Sequence, residues 1–159
     1  MNTLIRFRIR KAAMADKAAI LKINNAVLDC PFEEDWLDRI LAESPDKVLV
    51  AVREEDVLGF LTFICREEGV YITYMGVDSE IQRCGIGKAL LKKVIDALPD
   101  HGKNQIRLHV KASNLAAISF YEAAGFRPAA QINNYYGKGK PAFLMRFDTH
   151  SLQSLLNGS

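Results

Sequence analysis

A strand end, a short loop and the start of a helix follow one another in the stretch Val77-Asp78-Ser79-Glu80-Ile81-Gln82-Arg83-Cys84-Gly85-Ile86-Gly87-Lys88-Ala89-Leu90-Leu91. Glycines in such a loop let backbone N–H groups approach an anion closely, and the N-terminus of a helix adds a partial positive charge. The pattern therefore predicts a phosphate-binding loop. A strand-to-helix turn with two glycines can also be purely structural, so other features of the sequence are needed to distinguish a binding loop from a structural turn.

Two common phosphate-binding motifs do not fit this loop. A Walker loop needs Gly-Lys followed by Ser or Thr, but Gly87-Lys88 is followed by Ala89, and Gln82 stands where the earlier glycine belongs. A dinucleotide fingerprint needs a third glycine, where Leu90 stands, and it follows the first strand of its unit. Here the loop follows the fourth predicted strand, so neither motif is present.

The hydrophobic pattern on both sides of the loop predicts an α+β fold. Ile5, Phe7 and Ile9 alternate with arginines, which indicates a first strand, and Asp16 is expected to cap the helix that follows. The whole order is strand, two helices, three strands, helix, strand, helix and two strands. This order predicts a mixed, mostly antiparallel sheet of seven strands with about four helices, in which a helical crossover makes strands 4 and 5 parallel.

Length and composition favour a single soluble domain. The chain has 159 residues, of which 49% are hydrophobic and 25% charged, and no linker or low-complexity segment divides it. We expect one domain over residues 1–159, with a core at about 5–147 and a tail at 148–159. The net charge of +2 is too small to favour nucleic acid as a partner.

Cysteine and histidine spacing predicts a protein without a metal site. The three cysteines are too few and too dispersed for a disulfide framework, and neither Cys-x-x-Cys nor His-Glu-x-x-His occurs. The N-terminus lacks the apolar stretch of a signal peptide, and no apolar run is long enough to cross a bilayer. We expect a cytoplasmic monomer or homodimer that does not bind membranes.

Two motifs carry a resemblance to a known family. Gln82-x-x-Gly85-x-Gly87 resembles the acetyl-CoA loop of the GCN5-related N-acetyltransferase (GNAT) superfamily, and Asn114-Leu115-Ala116-Ala117-Ile118-Ser119-Phe120-Tyr121-Glu122-Ala123-Ala124-Gly125-Phe126 resembles the superfamily segment that follows. The resemblance implies splayed strands 4 and 5, acetyl-CoA as cosubstrate and no metal. It also implies direct acetyl transfer, in a ternary complex, to a primary amine such as a peptide α-amine or a small amine. The alternative is a non-catalytic acyl-CoA-binding sensory module on the same fold.

The resemblance also implies roles for individual residues. The N–H of Met75 polarises the thioester carbonyl, with Gly76 permitting a bulge, and Met75 and Val77 pair with the pantetheine arm. Asn114 bonds the pantetheine arm, caps its helix, or does both. The backbone of one loop cradles the pyrophosphate; its residues are Gln82, Arg83, Cys84, Gly85, Ile86, Gly87 and Lys88.

Tyr121 is the predicted general acid. A tyrosine has a pKa of ~10 and a thiol one of ~8.5, so near neutral pH the phenol is protonated and can donate to the departing CoA thiolate. The alternative is a core aromatic residue on the apolar face of its helix.

The general base stays unassigned. Many relatives carry a glutamate early in the fourth strand, where Tyr71 stands here; Tyr71 and Thr73 can order a water, and His109 projects from the neighbouring strand. Tyr135 and Tyr136 resemble the paired tyrosines of the ribosomal-protein alanine N-acetyltransferase branch. They form part of the acceptor wall or are ordinary cross-strand packing.

Overall fold

A computed structural model describes residues 5–149 of the chain. Within these residues, four α-helices accompany seven strands, in the order β1 (Arg8–Lys11), α1 (Lys17–Val27), α2 (Glu34–Glu43), β2 (Val48–Arg53), β3 (Asp56–Arg66), β4 (Gly69–Val77), α3 (Ile86–Asp96), β5 (Gln105–Lys111), α4 (Leu115–Ala123), β6 (Arg127–Ile132) and β7 (Ala142–Asp148). Short 3-10 turns occupy 14–16, 45–47, 79–81 and 99–101.

The strands form one mixed sheet in the order β1-β2-β3-β4-β5-β7-β6. Strands β4 and β5 are parallel, whereas β1–β2, β2–β3, β5–β7 and β6–β7 are antiparallel. The helix α3 provides the crossover that parallel neighbours require. The predicted fold class is therefore confirmed, although the first strand begins at Arg8 and not at Ile5.

The described residues form two compact units. The first comprises residues 5–63 and 74–96, and the second comprises 64–73 and 97–149. Each buries its own apolar side chains: Ile20, Leu37, Val50, Phe60 and Leu90 in the first, and Ile106, Leu108, Phe126, Met145 and Phe147 in the second. Most of the expected tail, residues 150–159, lies outside the described residues.

Strand β5 separates an apolar face from a polar one. Ile106, Leu108 and Val110 are buried, whereas Arg107 and His109, which alternate with them, are partly exposed on the opposite face. The parallel register places Tyr71 of β4 directly beside Arg107. Two strands far apart in sequence thus bring polar side chains to one face of the sheet.

Asp16 does not cap α1 as expected. Its carboxylate instead accepts two hydrogen bonds from the Arg10 guanidinium, at 2.7 and 2.9 Å, and one from the backbone N–H of Ala13, at 2.8 Å. The side chain therefore closes the 3-10 turn that precedes α1 and ties it to β1. Arg10, six residues earlier on β1, competes with the helix N-terminus for this carboxylate. Its interaction is stronger than a helix cap because the pair is charged and bidentate.

Replacing Asp16 by asparagine is expected to lower the free energy of unfolding by ~2 kcal/mol, since a partly buried, charge-assisted pair of hydrogen bonds is lost. The Arg10 hydrogen bonds hold the pKa of Asp16 below its ordinary value of 3.8. The stabilisation is therefore complete above the pKa of the unfolded state and disappears as the pH falls through the lower folded-state pKa. In urea unfolding experiments from pH 6 down to ~2, the free energy of unfolding should decrease more steeply for the wild type than for Asp16→Asn. Parallel pH dependences would contradict the assignment.

Candidate active site

The loop between β4 and α3 has the geometry of an anion site. Arg83 and Gly85 have φ angles of 69° and 83°, in the left-handed region. Helix α3 begins at Ile86, and the carbonyl of Gly85 accepts from the N–H of Ala89 at 3.0 Å. The N–H groups of the first helical turn have no partner one turn earlier, so they are available to an anion.

Gln82 ties this loop to the strand before it. Its side-chain amide donates to the carbonyl of Val77 at 3.3 Å, and the Cys84 thiol lies 3.9 Å from the Gln82 carbonyl. A Cβ placed on Gly85 would meet no heavy atom within 4 Å, so this glycine is required by its φ angle and not by crowding. Arg83 and Lys88 are exposed.

Packing explains the glycine at the end of β4. A Cβ on Gly76 would lie 3.0 Å from Cε1 of Phe60 and 3.2 Å from Cγ2 atoms of Ile23 and Val27. Glycine is therefore required here by the close approach of α1 and β3, whether or not the strand also bulges. Its neighbours Met75 and Val77 are partly exposed.

Helix α4 presents Tyr121 between two well-defined ends. The Asn114 side chain accepts from the N–H of Ala117 at 3.1 Å, which confirms it as the N-cap, and Gly125, with a φ of 104°, ends the helix. The Tyr121 ring packs against Phe126 at 5.6 Å between centroids. Burial raises the pKa of Tyr121, and the nearby Tyr136 raises it further, so the phenol is protonated at neutral pH.

A second group of polar rings lies on the polar face of β5. The Tyr71 hydroxyl is hydrogen-bonded to Nδ1 of His109. The Tyr135 ring stacks on the imidazole, with centroids 4.3 Å apart and planes inclined by 11°, and packs edge-on against Tyr136 at 4.8 Å. The charge of Tyr136 also raises the pKa of Tyr121, so we group five residues as the aromatic cluster: Tyr71, His109, Tyr121, Tyr135 and Tyr136.

The protonation states in the cluster suit a proton acceptor. Burial raises the pKa of Tyr71, and its hydrogen bond to Tyr135 raises it further, so the hydroxyl keeps its proton at neutral pH, and we assign it as the donor to Nδ1 of His109. Burial lowers the pKa of His109, so the imidazole is neutral near pH 7. With Nδ1 accepting from Tyr71, we assign the hydrogen of the neutral ring to Nε2.

The candidate residues divide between the two units. Met75, Val77 and the loop 82–88 belong to the first unit; Tyr71, Thr73, Asn114, Tyr121, Tyr135 and Tyr136 belong to the second. Of the candidates in the second unit, the four tyrosines belong to the aromatic cluster, whereas Thr73 and Asn114 do not. The cluster also contains His109, which the sequence pattern left among several candidates for the base. The strand alternation of β5 places His109 on the polar face, but the register that sets it beside Tyr71 is a tertiary feature.

Two other expectations bear on the kind of site. Among residues 5–149, no group of three or more His, Cys, Asp or Glu side chains could hold a metal ion. None of the helices in this part of the chain is long and apolar enough to cross a membrane.

The chain is similar to known proteins along most of its length. A sequence profile of the acetyltransferase (GNAT) family matches residues 17–126. The chain is 47% identical over 62 residues to the ribosomal protein bS18 alanine N-acetyltransferase of Escherichia coli, a match that covers 39% of this chain and only 42% of that relative. It is 27% identical over 155 residues to an N-alpha-acetyltransferase of Sulfurisphaera tokodaii, covering 87% and 91% of the two chains.

A solved structure shows the same fold along nearly the whole length. Ard1 from Thermoplasma volcanium superposes with a TM-score of 0.84 at 24% identity, covering 91% of this chain and 98% of that one. The family profile spans well over half of the chain and includes both the glycine loop and α4. The chain therefore belongs to the acetyltransferase (GNAT) family.

Proposed function

We propose that this protein transfers the acetyl group of acetyl-CoA to the α-amine of a peptide or of a small amino compound, by direct attack in a ternary complex. The aromatic cluster is the observation that carries the proposal. It holds a neutral imidazole that can accept a proton and a protonated phenol that can donate a hydrogen bond, in a chain of the acetyltransferase family. A purely acyl-CoA-binding module needs neither group.

Acetyl-CoA is assigned to the residues that the family resemblance implies. The backbone N–H groups of residues 82–88 bind the pyrophosphate, since helix α3 begins directly after Gly85. The N–H of Met75 polarises the thioester carbonyl, and Met75 and Val77 pair with the pantetheine arm. Asn114 contributes as the cap of α4, because its side-chain oxygen is already engaged by Ala117.

The proton of the attacking amine leaves through Tyr71. As the amine nitrogen bonds to the carbonyl carbon, its proton moves to the Tyr71 oxygen, and the hydroxyl hydrogen of Tyr71 passes to Nδ1 of His109. The C–S bond then breaks and CoA departs as a thiolate. His109 returns its proton to solvent, and the thiolate takes one up, so the reaction is balanced.

Tyr121 acts on the departing sulfur. Burial raises its pKa above the ~10 of a free phenol, whereas a thiol has a pKa of ~8.5, so complete proton transfer to the thiolate is uphill. The phenol therefore stabilises the developing thiolate as a hydrogen-bond donor. This refines the expected role of general acid without changing the residue.

The basicity of His109 favours an α-amine over a lysine. At pH 7, deprotonating an α-ammonium group with a pKa near 7.8 costs about 0.8 pH units, or ~1 kcal/mol. Deprotonating a lysine side chain costs about 3.4 units, or ~4.6 kcal/mol. A base whose pKa is lowered by burial accepts a proton from the first ammonium at a much smaller energetic cost than from the second. Tyr135 and Tyr136 form part of the wall around this acceptor.

Short peptides with either the N-terminus or the lysine side chain blocked, assayed by release of CoA, test this function. We expect release with a free α-amine and at most slow release with a free lysine alone. Preferential reaction of lysine would contradict the acceptor class. Binding of acetyl-CoA without release on any amine would support the sensory-module alternative.

Replacing Gly87 by valine is expected to abolish acetyl-CoA binding, because a branched side chain in the first turn of α3 obstructs access to the backbone N–H groups. Valine and glycine differ little in helix propensity, so the unfolding free energy should change by less than ~0.5 kcal/mol. In the wild type, acetyl-CoA at ~100 times its dissociation constant should add ~2.7 kcal/mol of stability. The exposed Lys92→Val on the same helix is the control. Unchanged calorimetric affinity in Gly87→Val would remove the loop from the site.

A further inference from the structure

Three arginines lie around Tyr71 in the second unit. Arg107 on β5 is in register with Tyr71 on one side and with Arg146 of β7 on the other. Arg66, at the end of β3, places its guanidinium 5.5 Å from the centre of the Tyr71 ring. Because paired residues share a face of the sheet, and alternate residues along a strand do too, Arg107 and Arg146 share the face of His109. These residues are here called the arginine row: Arg66, Arg107 and Arg146.

The arginine row is poorly compensated by negative charge. Like charges directly opposite on antiparallel strands are destabilising, and Arg107 and Arg146 are such a pair. The Nε of Arg107 donates to the neutral Gln105 side chain at 2.8 Å. Asp148 lies opposite Gln105 on the same face and offsets one charge, which leaves the row positive. Arg66 and Arg146 are exposed, and Arg107 is half-buried.

The second unit has a net positive charge, although Glu67 and Glu68 follow directly after Arg66. Among the described residues of the second unit, lysines and arginines outnumber aspartates and glutamates, although the whole chain is nearly balanced. Lys138 and Lys140 follow directly after the paired tyrosines of the aromatic cluster. A positive field on this face attracts anionic groups and raises their local concentration.

We propose that the arginine row binds a carboxylate side chain of the acceptor peptide, at the second or third residue after the α-amine. This inference rests on the proposed function. Guanidinium groups bind carboxylates bidentately, and Arg107 and Arg146 lie directly opposite each other on neighbouring strands. Arg107 is two residues from His109, a distance of ~7 Å along a strand, and an extended peptide advances ~3.3–3.6 Å per residue. A peptide whose amine meets Tyr71 and His109, and whose chain runs towards the start of β5, carries its next side chains past the row.

Matched acceptor peptides test the proposal. Two peptides with a free α-amine differ only at the second and third residues, which are Asp-Asp in one and Asn-Asn in the other. We expect kcat/KM to be ~10-fold higher for the acidic peptide, mainly through KM, and this preference to shrink as salt screens the charges. In Arg146→Gln the ratio should fall towards one, whereas the exposed Arg53→Gln, in the first unit, should keep the wild-type ratio.

Charge reversal separates this role from a structural one. Arg146→Glu should prefer a peptide with lysines at the two positions over the acidic peptide, which a merely structural arginine would not produce. Equal kcat/KM for the acidic and amide peptides in the wild type would overturn the inference. So would an Arg146→Gln variant whose KM for acetyl-CoA rises while its peptide ratio is unchanged, since the row would then serve the cofactor. If no peptide is acetylated at all, the proposed function fails instead, and the calorimetric affinities of the two peptides decide the inference.

Discussion

Replacing Tyr121 by phenylalanine should lower kcat by ~10² or more while the dissociation constant of acetyl-CoA changes by less than about threefold. The lost hydrogen bond exists mainly when charge develops on the sulfur, so it contributes to the transition state and hardly to cofactor binding. Steady-state kinetics at saturating peptide and calorimetry with acetyl-CoA measure the two quantities. The ring itself is kept, so its contact with Phe126 is preserved.

The same variant distinguishes a chemical role from a packing role. If Tyr121 were only a core aromatic residue, Tyr121→Phe would turn over at the wild-type rate. A loss of activity accompanied by an equal loss of unfolding free energy would also count against a chemical role. We expect the unfolding free energy to change by less than ~1 kcal/mol, because one hydroxyl hydrogen bond is at stake.

Replacing His109 by glutamine should lower kcat by ~10² to 10³ and remove the acidic limb of the pH–rate profile. The base has to be neutral to accept a proton, so the wild-type rate falls as the pH drops through the pKa of His109. Burial lowers that pKa below its ordinary value of 6.5, which places the limb below pH 6.5. Measuring kcat with saturating substrates between pH 5 and ~8 tests this, because kcat reports groups in the bound complex.

A matched variant tests the path of the proton. Tyr71→Phe removes the hydroxyl that bonds to Nδ1 and keeps a ring beside the arginines. The Tyr71→Phe variant should lower kcat by ~10-fold or more. It should retain the acidic limb of the pH–rate profile, since the His109 imidazole still titrates. A wild-type pH profile in His109→Gln would show that another group accepts the proton.

The glycine loop and α4 could be predicted from local sequence because their determinants are local. A left-handed φ at Gly85, a cap at Asn114 and a helix stop at Gly125 each depend on residues a few positions apart. The same is true of the alternation that divides β5 into an apolar and a polar face. The order β2-β3-β4-β5 follows from short connections and the α3 crossover, whereas the position of β7 between β5 and β6 was not predicted.

The proposed general base, His109, could not be singled out from the sequence because its setting depends on tertiary register. Tyr71 and His109 are 38 residues apart, and only the pairing of β4 with β5 brings hydroxyl and imidazole together. The stacking of Tyr135 on His109 also needs the β6–β7 connection to fold over the sheet. Asp16 was assigned to the wrong partner for a related reason, since Arg10 on β1 competes for it and wins.

Acetyl transfer to an α-amine is tested most directly by locating the acetyl group on a peptide that offers both kinds of amine. The substrate is a peptide with a free N-terminus and one internal lysine, incubated with the protein and acetyl-CoA and sequenced by tandem mass spectrometry. We predict acetylation of the N-terminal nitrogen, which disappears with His109→Gln and Tyr121→Phe on the same timescale. An acetyl group found on the lysine alone, or an unmodified peptide despite demonstrated acetyl-CoA binding, would contradict the proposed function.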